Sequence, residues 1–266
     1  MLVGISTATY FTKLVTENSF SVISLNGAKE AEVFLTTYSE FEEDFAHLIN
    51  ERKGDVEVYS IHSLSTAFEP QLFNKAERTR QDAEKWFRKV LRAGQIIGAK
   101  CYTFHGSTRV KKTQVIDPVA FGKRLNQLSL IAEEYGITLC LETVHWCAFS
   151  SPDFFKEVKA QAPKLGVTLD VKQCWQSGYD WQDYLDVIGD RLKNVHLCDH
   201  DAEGNICMIG KGVFPFDALI KRLKEDGYQG PIIIEQYAKD YADYNEVGES
   251  VKYLNNIIGG IYAHKI

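Results

Sequence analysis

Six short apolar runs in this chain end at or beside an ionisable residue: VYSIHS near His62, CYTFHG at His105, GITLCLE at Glu142, GVTLD at Asp170, NVHLCD near His196 and PIIIE at Glu235. An ionised carboxylate taken out of water without a partner is costly, so Glu142 has to be wet, protonated, paired with a cation or bound to a metal. One such residue decides nothing. Glu142, Asp170, His196 and Glu235 together would bring three carboxylates and one imidazole into one place. Carboxylates that close repel and raise one another's pKa unless a cation compensates them, and a divalent ion does so directly. Oxygen-rich ligation with one nitrogen suits Mn²⁺, Mg²⁺ or Co²⁺ and admits Zn²⁺. The lack of cysteine in the set argues against a structural zinc site.

Taken singly, each residue has a plainer explanation. His62 or His105 at a strand end is more often a hydrogen-bonded core histidine than a ligand; Asp170 can pair with Lys172; Glu235 can cap a loop. The joint coincidence is harder to explain away, because strand, strand end and side-chain parity all have to agree.

Those features depend on the elements that carry the residues. Short β-like runs alternate with longer amphipathic helical stretches from end to end, the rhythm of βα units around a parallel sheet. The strands are expected at residues 2–6, 20–25, 56–62, 100–105, 137–142, 166–170, 193–198 and 231–235, with helices between them, one covering 28–52. Eight strands close a barrel, so the fold expected is α/β, a single (β/α)8 TIM barrel. No Pro/Gly/Ser-rich linker divides the chain, and residues 1–266 are read as one domain. Asp117-Pro118 and Ser151-Pro152 set an N-cap before a proline at the first helical turn.

Residues two apart on a strand share a face. Thr138, Cys140 and Glu142 therefore fall opposite Ile137, Leu139 and Leu141, and the same parity joins Thr168 to Asp170, Asn194 to His196, Thr103 to His105 and Ser60 to His62. The aliphatic face suits packing against a helix ring and the polar face suits the barrel interior. At the C-terminal mouth of the strands, where barrel enzymes place their active sites, the ionisable ends would converge.

Composition narrows the classes. With 45% hydrophobic and 25% charged residues the chain reads as an ordinary globular protein, and its apolar runs are far shorter than a membrane span. A net charge of −6 gives no electrostatic footprint for nucleic acid; TRVKK at 108–112 reads as a solvated loop. The start MLVGISTATYF reads as a first strand rather than a secretory signal, and the six cysteines form no CxxC pair, so a reducing cytoplasmic setting is expected.

In order, IHS, FHG, LET, LDVKQ, VHLCD, GKG and IIIEQ resemble the xylose isomerase-like barrel superfamily of sugar isomerases and epimerases, which also contains endonuclease IV. The resemblance runs from the third expected strand to the last. It implies one divalent metal ion (Mn, Mg, Co or Zn) on Glu142, Asp170, His196 and Glu235, with Glu142 and Glu235 also acting as the acid/base pair. The substrate implied is a small sugar, ketose or polyol, isomerised or epimerised through an enediolate; dehydration of a keto-inositol uses the same machinery. Members of the family often form dimers or tetramers, so a homodimer or homotetramer is expected. Two departures stand out: Gln173 replaces a histidine usual three residues after the strand-six aspartate, and no arginine follows His196. Endonuclease IV-like enzymes would use His62 and His105 as zinc ligands, but Gln173 and the loop EGNIC lack the further ligands of that family. His62 and His105 are read instead as contacts to the ligands or to substrate hydroxyls. Lys172 and Gln173 are further candidates for substrate binding. Lys211, in IGKG, could hold an anionic group, although an ordinary turn is an equal reading. Trp146, with Trp175 and Phe149, could wall a sugar face, with loop packing an equal alternative.

Overall fold

The computed structural model describes residues 1–109 and 115–263. Seven parallel strands follow one another around a barrel: β1 (Val3–Ser6), β2 (Glu30–Leu35), β3 (Glu57–Ser63), β4 (Cys101–Phe104), β5 (Thr138–Glu142), β6 (Gly166–Asp170) and β7 (Leu192–Leu197). A small antiparallel hairpin, β8 (Asp199–His200) with β9 (Ile206–Cys207), comes next. The eighth barrel strand, β10 (Ile232–Ile234), then pairs with β7 and β1 and closes the ring. The fold is a (β/α)8 TIM barrel.

The helices outside it are α1 (Ser19–Leu25), α2 (Glu43–Arg52), α3 (Glu77–Ile97), α4 (Pro118–Glu133), α5 (Pro152–Gln161), α6 (Val171–Gln176), α7 (Trp181–Ile188), α8 (Phe216–Glu225) and α9 (Tyr244–Ala263). Two begin as their sequences dictate: the Asp117 carboxylate accepts Val119 N–H and the Ser151 hydroxyl accepts Phe154 N–H, each ahead of a proline. Leu139, Leu141, Val167, Leu169, Val195, Leu197, Ile232 and Ile234 are all fully buried, as expected of strand faces covered by helices. Helix and barrel touch closely at Gly94 of α3, where an added Cβ would lie 2.5 Å from Ile61 Cδ1. No helix among the described residues is long and apolar enough to cross a membrane.

One pair of elements differs from the sequence expectation. Residues 20–25 form most of α1, and the second strand is Glu30–Leu35, inside the stretch expected to be helical. In FSVISL the buried residues are Phe20 and Ile23, three apart, while Leu25 is exposed, which is one turn of helix. In EAEVFL the alternation is real: Ala31, Val33 and Leu35 share one face and Glu30, Glu32 and Phe34 the other. Pairing with β1 on one side and β3 on the other overrides the helix propensity of Glu and Ala.

Candidate metal centre

The interior face of the barrel is polar. Thr103 of β4 and Thr168 of β6 bring their hydroxyls to 3.1 Å, and Asn194 of β7 reaches Ser60 and Thr103, both at 3.3 Å. Above this layer Glu142 and Asp170 end their strands, His196 is the last residue but one of β7 and Glu235 directly follows β10, and each offers a ligand atom within 4.8 Å of the others. His196 Nδ1 lies 3.2 Å from Glu142 Oε1 and 3.5 Å from Glu235 Oε2. Backbone pairing fixes this meeting: Asp170 sits opposite His196 in the β6–β7 register, and Glu142 opposite Thr168 in β5–β6. The Thr143 hydroxyl adds a clamp, accepting the Asp170 N–H at 2.9 Å.

His62 and His105 join the same cluster. Their Nε2 atoms are 3.2 Å apart, and His105 Nε2 lies 2.6 Å from Glu142 Oε2. Lys172 is buried with its ammonium 3.6 Å from Asp170 Oδ2, 3.7 Å from Glu235 Oε2 and 4.6 Å from the centre of the Tyr237 ring. Gln173, in the first turn of α6, turns its side-chain carbonyl to His145, accepting from the backbone at 3.2 Å and from Nδ1 at 2.6 Å. A cavity of about 290 Å³ opens over the cluster, and His62, His105, Trp146, Lys172, Gln173 and Tyr237 are among its walls.

The electrostatics set buried carboxylates against buried bases and are consistent with a cation site. Burial pushes the Glu142 carboxyl up, but His105 and His196 pull it further down, so it stays ionised; burial likewise opposes ionisation of Glu235, where His196 and Lys172 prevail. Asp170 is different. Burial, joined by repulsion from Glu142 and Glu235 and only partly offset by Lys172, raises its pKa to about 6. Burial disfavours a charged His196, yet the Glu32, Glu235 and Glu142 carboxylates raise its pKa well above the ordinary value. Burial also disfavours charge on His62, but the Glu32 carboxylate, then Glu142 and Glu235, bring it up to about 9. Positive charge on His196, His62 and Lys172 thus offsets the buried carboxylates.

Several atoms in this cluster have no hydrogen bond. His196 Nδ1, His62 Nδ1 and Glu142 Oε2 are buried without an acceptable hydrogen-bonding partner, although the His105 ring lies close to the last. A carboxylate oxygen and an imidazole nitrogen without hydrogen-bond partners, converging with two further carboxylates, fit a hard or borderline divalent cation that would displace the ring proton. Lys172 is a resident positive charge that such an ion would have beside it.

Other sequence candidates lie elsewhere. Lys211 is exposed and outside the cavity walls. The IGKG loop already holds an anion, because the buried Asp199 carboxylate accepts the N–H groups of Gly210 at 2.9 Å and Gly212 at 3.0 Å. An added Cβ on Gly212 would come within 2.4 Å of Asp199 Oδ1, which explains the glycine. Phe149 is a fully buried core residue stacked on Phe155, and Trp175 packs against His200, so only Trp146 of the three aromatics faces the cavity. The basic cluster TRVKK lies partly, from Val110 on, outside the described residues.

Two carboxylates escaped the sequence reading. Glu32 of β2 is fully buried beside His196, with Nε2 at 3.0 Å, and His62, with Nδ1 at 3.5 Å. The alternation in EAEVFL carries that signal. Glu69, fully buried in the turn after β3, accepts the backbone N–H groups of His105 at 2.9 Å and Gly106 at 3.1 Å, which fixes where His105 leaves β4. Nothing in the local sequence of Glu69 distinguishes it from a surface residue.

Residues 14–257 match the family described as the xylose isomerase-like TIM barrel. The chain belongs to that family. Among curated proteins it is 28% identical over 173 residues to the uncharacterized protein MJ1614 of Methanocaldococcus jannaschii, covering 63% of this chain and 66% of that one. It is also 29% identical over 143 residues to a probable endonuclease 4 of Methanosphaera stadtmanae, covering 48% of this chain and 51% of the relative. The chain thus spans between half and two thirds of these relatives. Among solved structures, D-psicose 3-epimerase with D-tagatose from Clostridium cellulolyticum H10 superposes with a TM-score of 0.78 at 14% identity, covering 97% of this chain and 99% of that one, a likeness of fold. Within this xylose isomerase-like barrel the buried His/Glu cluster is the candidate metal site.

Proposed function

We propose that the protein is a divalent-metal-dependent isomerase or epimerase acting on a small sugar, ketose or keto-polyol. The observation that carries this reading is the meeting of Glu142 and Glu235, two carboxylates kept ionised, on one imidazole beneath a cavity of about 290 Å³. Glu142, Asp170, His196 and Glu235 would hold the metal, which supplies a Lewis acid beside the substrate carbonyl. One glutamate, ionised, would take the proton from the carbon next to that carbonyl, and the other would have to take up a proton before returning it from the opposite face, which inverts the centre. Return to the neighbouring carbon gives aldose–ketose exchange, and loss of a hydroxyl gives dehydration. Lys172 and Gln173 line the cavity where substrate oxygens would lie, and Trp146 offers an apolar wall. The neighbouring 3-epimerase acts on a ketose in a barrel of the same shape, which supports the substrate class.

A phosphodiesterase reading has one observation in its favour: His62, His105 and Glu142 offer a second set of ligand atoms within 4.8 Å, and a relative is a probable endonuclease 4. Against it, Gln173 spends its carbonyl on His145. The deciding experiment is metal content per chain together with deuterium uptake into ketoses in D₂O. About one ion, and exchange abolished in both Glu142→Gln and Glu235→Gln, is the expected result; two or three zinc ions, or exchange retained in both variants, overturns the reading.

A further inference from the structure

Glu32 has no part in the chemistry proposed above, yet it is the most heavily hydrogen-bonded carboxylate of the barrel interior. Its Oε2 accepts from the Ser60 hydroxyl at 2.7 Å, the Thr103 hydroxyl at 2.8 Å, the Asn194 amide at 3.0 Å and His196 Nε2 at 3.0 Å. Its Oε1 lies 3.4 Å from the Ser6 hydroxyl and 3.5 Å from His62 Nδ1. Every one of these neighbours can donate, and no acceptor competes.

We infer that Glu32 is a positioning residue for the metal centre: it holds the Nε2 proton of His196, so that Nδ1 is the ring atom presented to a cation. A carboxylate oxygen 3.0 Å from a bare ring nitrogen would set lone pair against lone pair; a proton on Nε2 removes that conflict. The Asn194 amide nitrogen is 3.2 Å from the same ring atom, but its partner oxygen accepts Val195 N–H, which points the NH₂ group at Glu32, Ser60 and Thr103. With Nε2 committed to Glu32, Nδ1 is the nitrogen left among the carboxylates, 3.2 Å from Glu142 Oε1, and a cation binding there has only the Nδ1 proton to displace. A carboxylate that accepts the distal N–H of a ligating histidine fixes the ring and raises its basicity. The same carboxylate lies 3.5 Å from His62 Nδ1, close enough to favour positive charge on that ring as well. An amide replaces it poorly: glutamine carries no charge to hold the His196 N–H and offers one accepting oxygen where the carboxylate has two.

The effect on metal affinity rests on the metal reading above, whereas the ring orientation does not. The test uses the full chain labelled with ¹⁵N-histidine, observed metal-free and during a zinc titration. The wild type is expected to keep a slowly exchanging Nε2–H on His196 in both states. Glu32→Gln is expected to lose that signal and to bind zinc about 10- to 100-fold more weakly. Glu32→Asp, which keeps the charge, is expected to recover part of the affinity, and Glu32→Gln is expected to add nothing in a His196→Gln background. Protonation of His196 on Nδ1 alone in the metal-free wild type, or zinc affinity unchanged in Glu32→Gln, overturns the inference. If Glu32→Gln does not fold, the wild-type spectrum decides alone. A wild type that shows the Nε2–H but takes up no divalent ion would leave the positioning role standing and remove the metal reading instead.

Discussion

One layer inside the barrel, around Glu32, serine, threonine and asparagine donors surround a single carboxylate and leave it saturated. At the strand ends just above, Glu142, Asp170 and Glu235 face one another, and both Glu142 Oε2 and His196 Nδ1 go unmet. Both regions are buried and both carry negative charge, so burial does not separate them. What separates them is whether fixed donors or titratable groups balance the charge. Where hydroxyl and amide donors do so, the polar group contributes to a defined interior; where histidines and a lysine do so, a cation can take their place.

The contrast is sharpest in stability. Glu32→Ala leaves His196, Ser60, Thr103 and Asn194 without their acceptor and should lower unfolding free energy by about 3–5 kcal/mol, the usual cost of breaking a buried charged network. Glu142→Gln takes a counter-charge from His105 and His196 but also relieves repulsion with Asp170 and Glu235, so it should lower the denaturation midpoint by less than Glu32→Ala does. Urea titrations of the two variants side by side would break the comparison if Glu142→Gln were the more damaging.

Acid should act next, on the upper region. Asp170 has to be ionised to accept a metal, and its pKa is raised to about 6, so affinity is expected to fall as pH drops through that value, approaching about tenfold per pH unit for one displaced proton. Metal titrations from pH 7 to 5 measure it; a flat profile would remove Asp170 from the ligand set. In the metal-free protein the sign reverses. A carboxyl raised above its unfolded value of about 3.9 contributes stability that is complete below that value and is lost as pH rises through about 6. The smallest effect is expected from Lys211→Ala: the side chain is exposed on a loop whose amides already hold Asp199, and turnover on any accepted substrate should stay within about twofold. A larger loss would bring that loop back into the site.

The site was readable where the barrel strands end in an isolated charge after an aliphatic run. Glu142 and Asp170 end their strands and Glu235 follows its own, while His196 stands one residue short of the end of β7; parity put Glu142, Asp170 and His196 on one face with the polar residues two before them. The second strand was not readable, because EAEVFL has good helix formers and FSVISL has β-branched residues, so propensity pointed the wrong way at both. Glu32 was lost with that strand. Glu69 had no pattern to find: its partners lie on Ser63, Tyr102 and the backbone of His105 and Gly106, up to 37 residues away.

The sequence by itself determined the alternation of strand and helix, the inward face of most strands, and which residues could ligate a metal, since these follow from periods of two and of three to four residues along the chain. Only the tertiary structure decided that β2 lies at 30–35, that Glu32 stands against His196 Nε2, and that IGKG wraps Asp199 rather than opening to the cavity. Those outcomes depend on which strand pairs with which and on hydrogen bonds between residues far apart in the chain, and no local period encodes them.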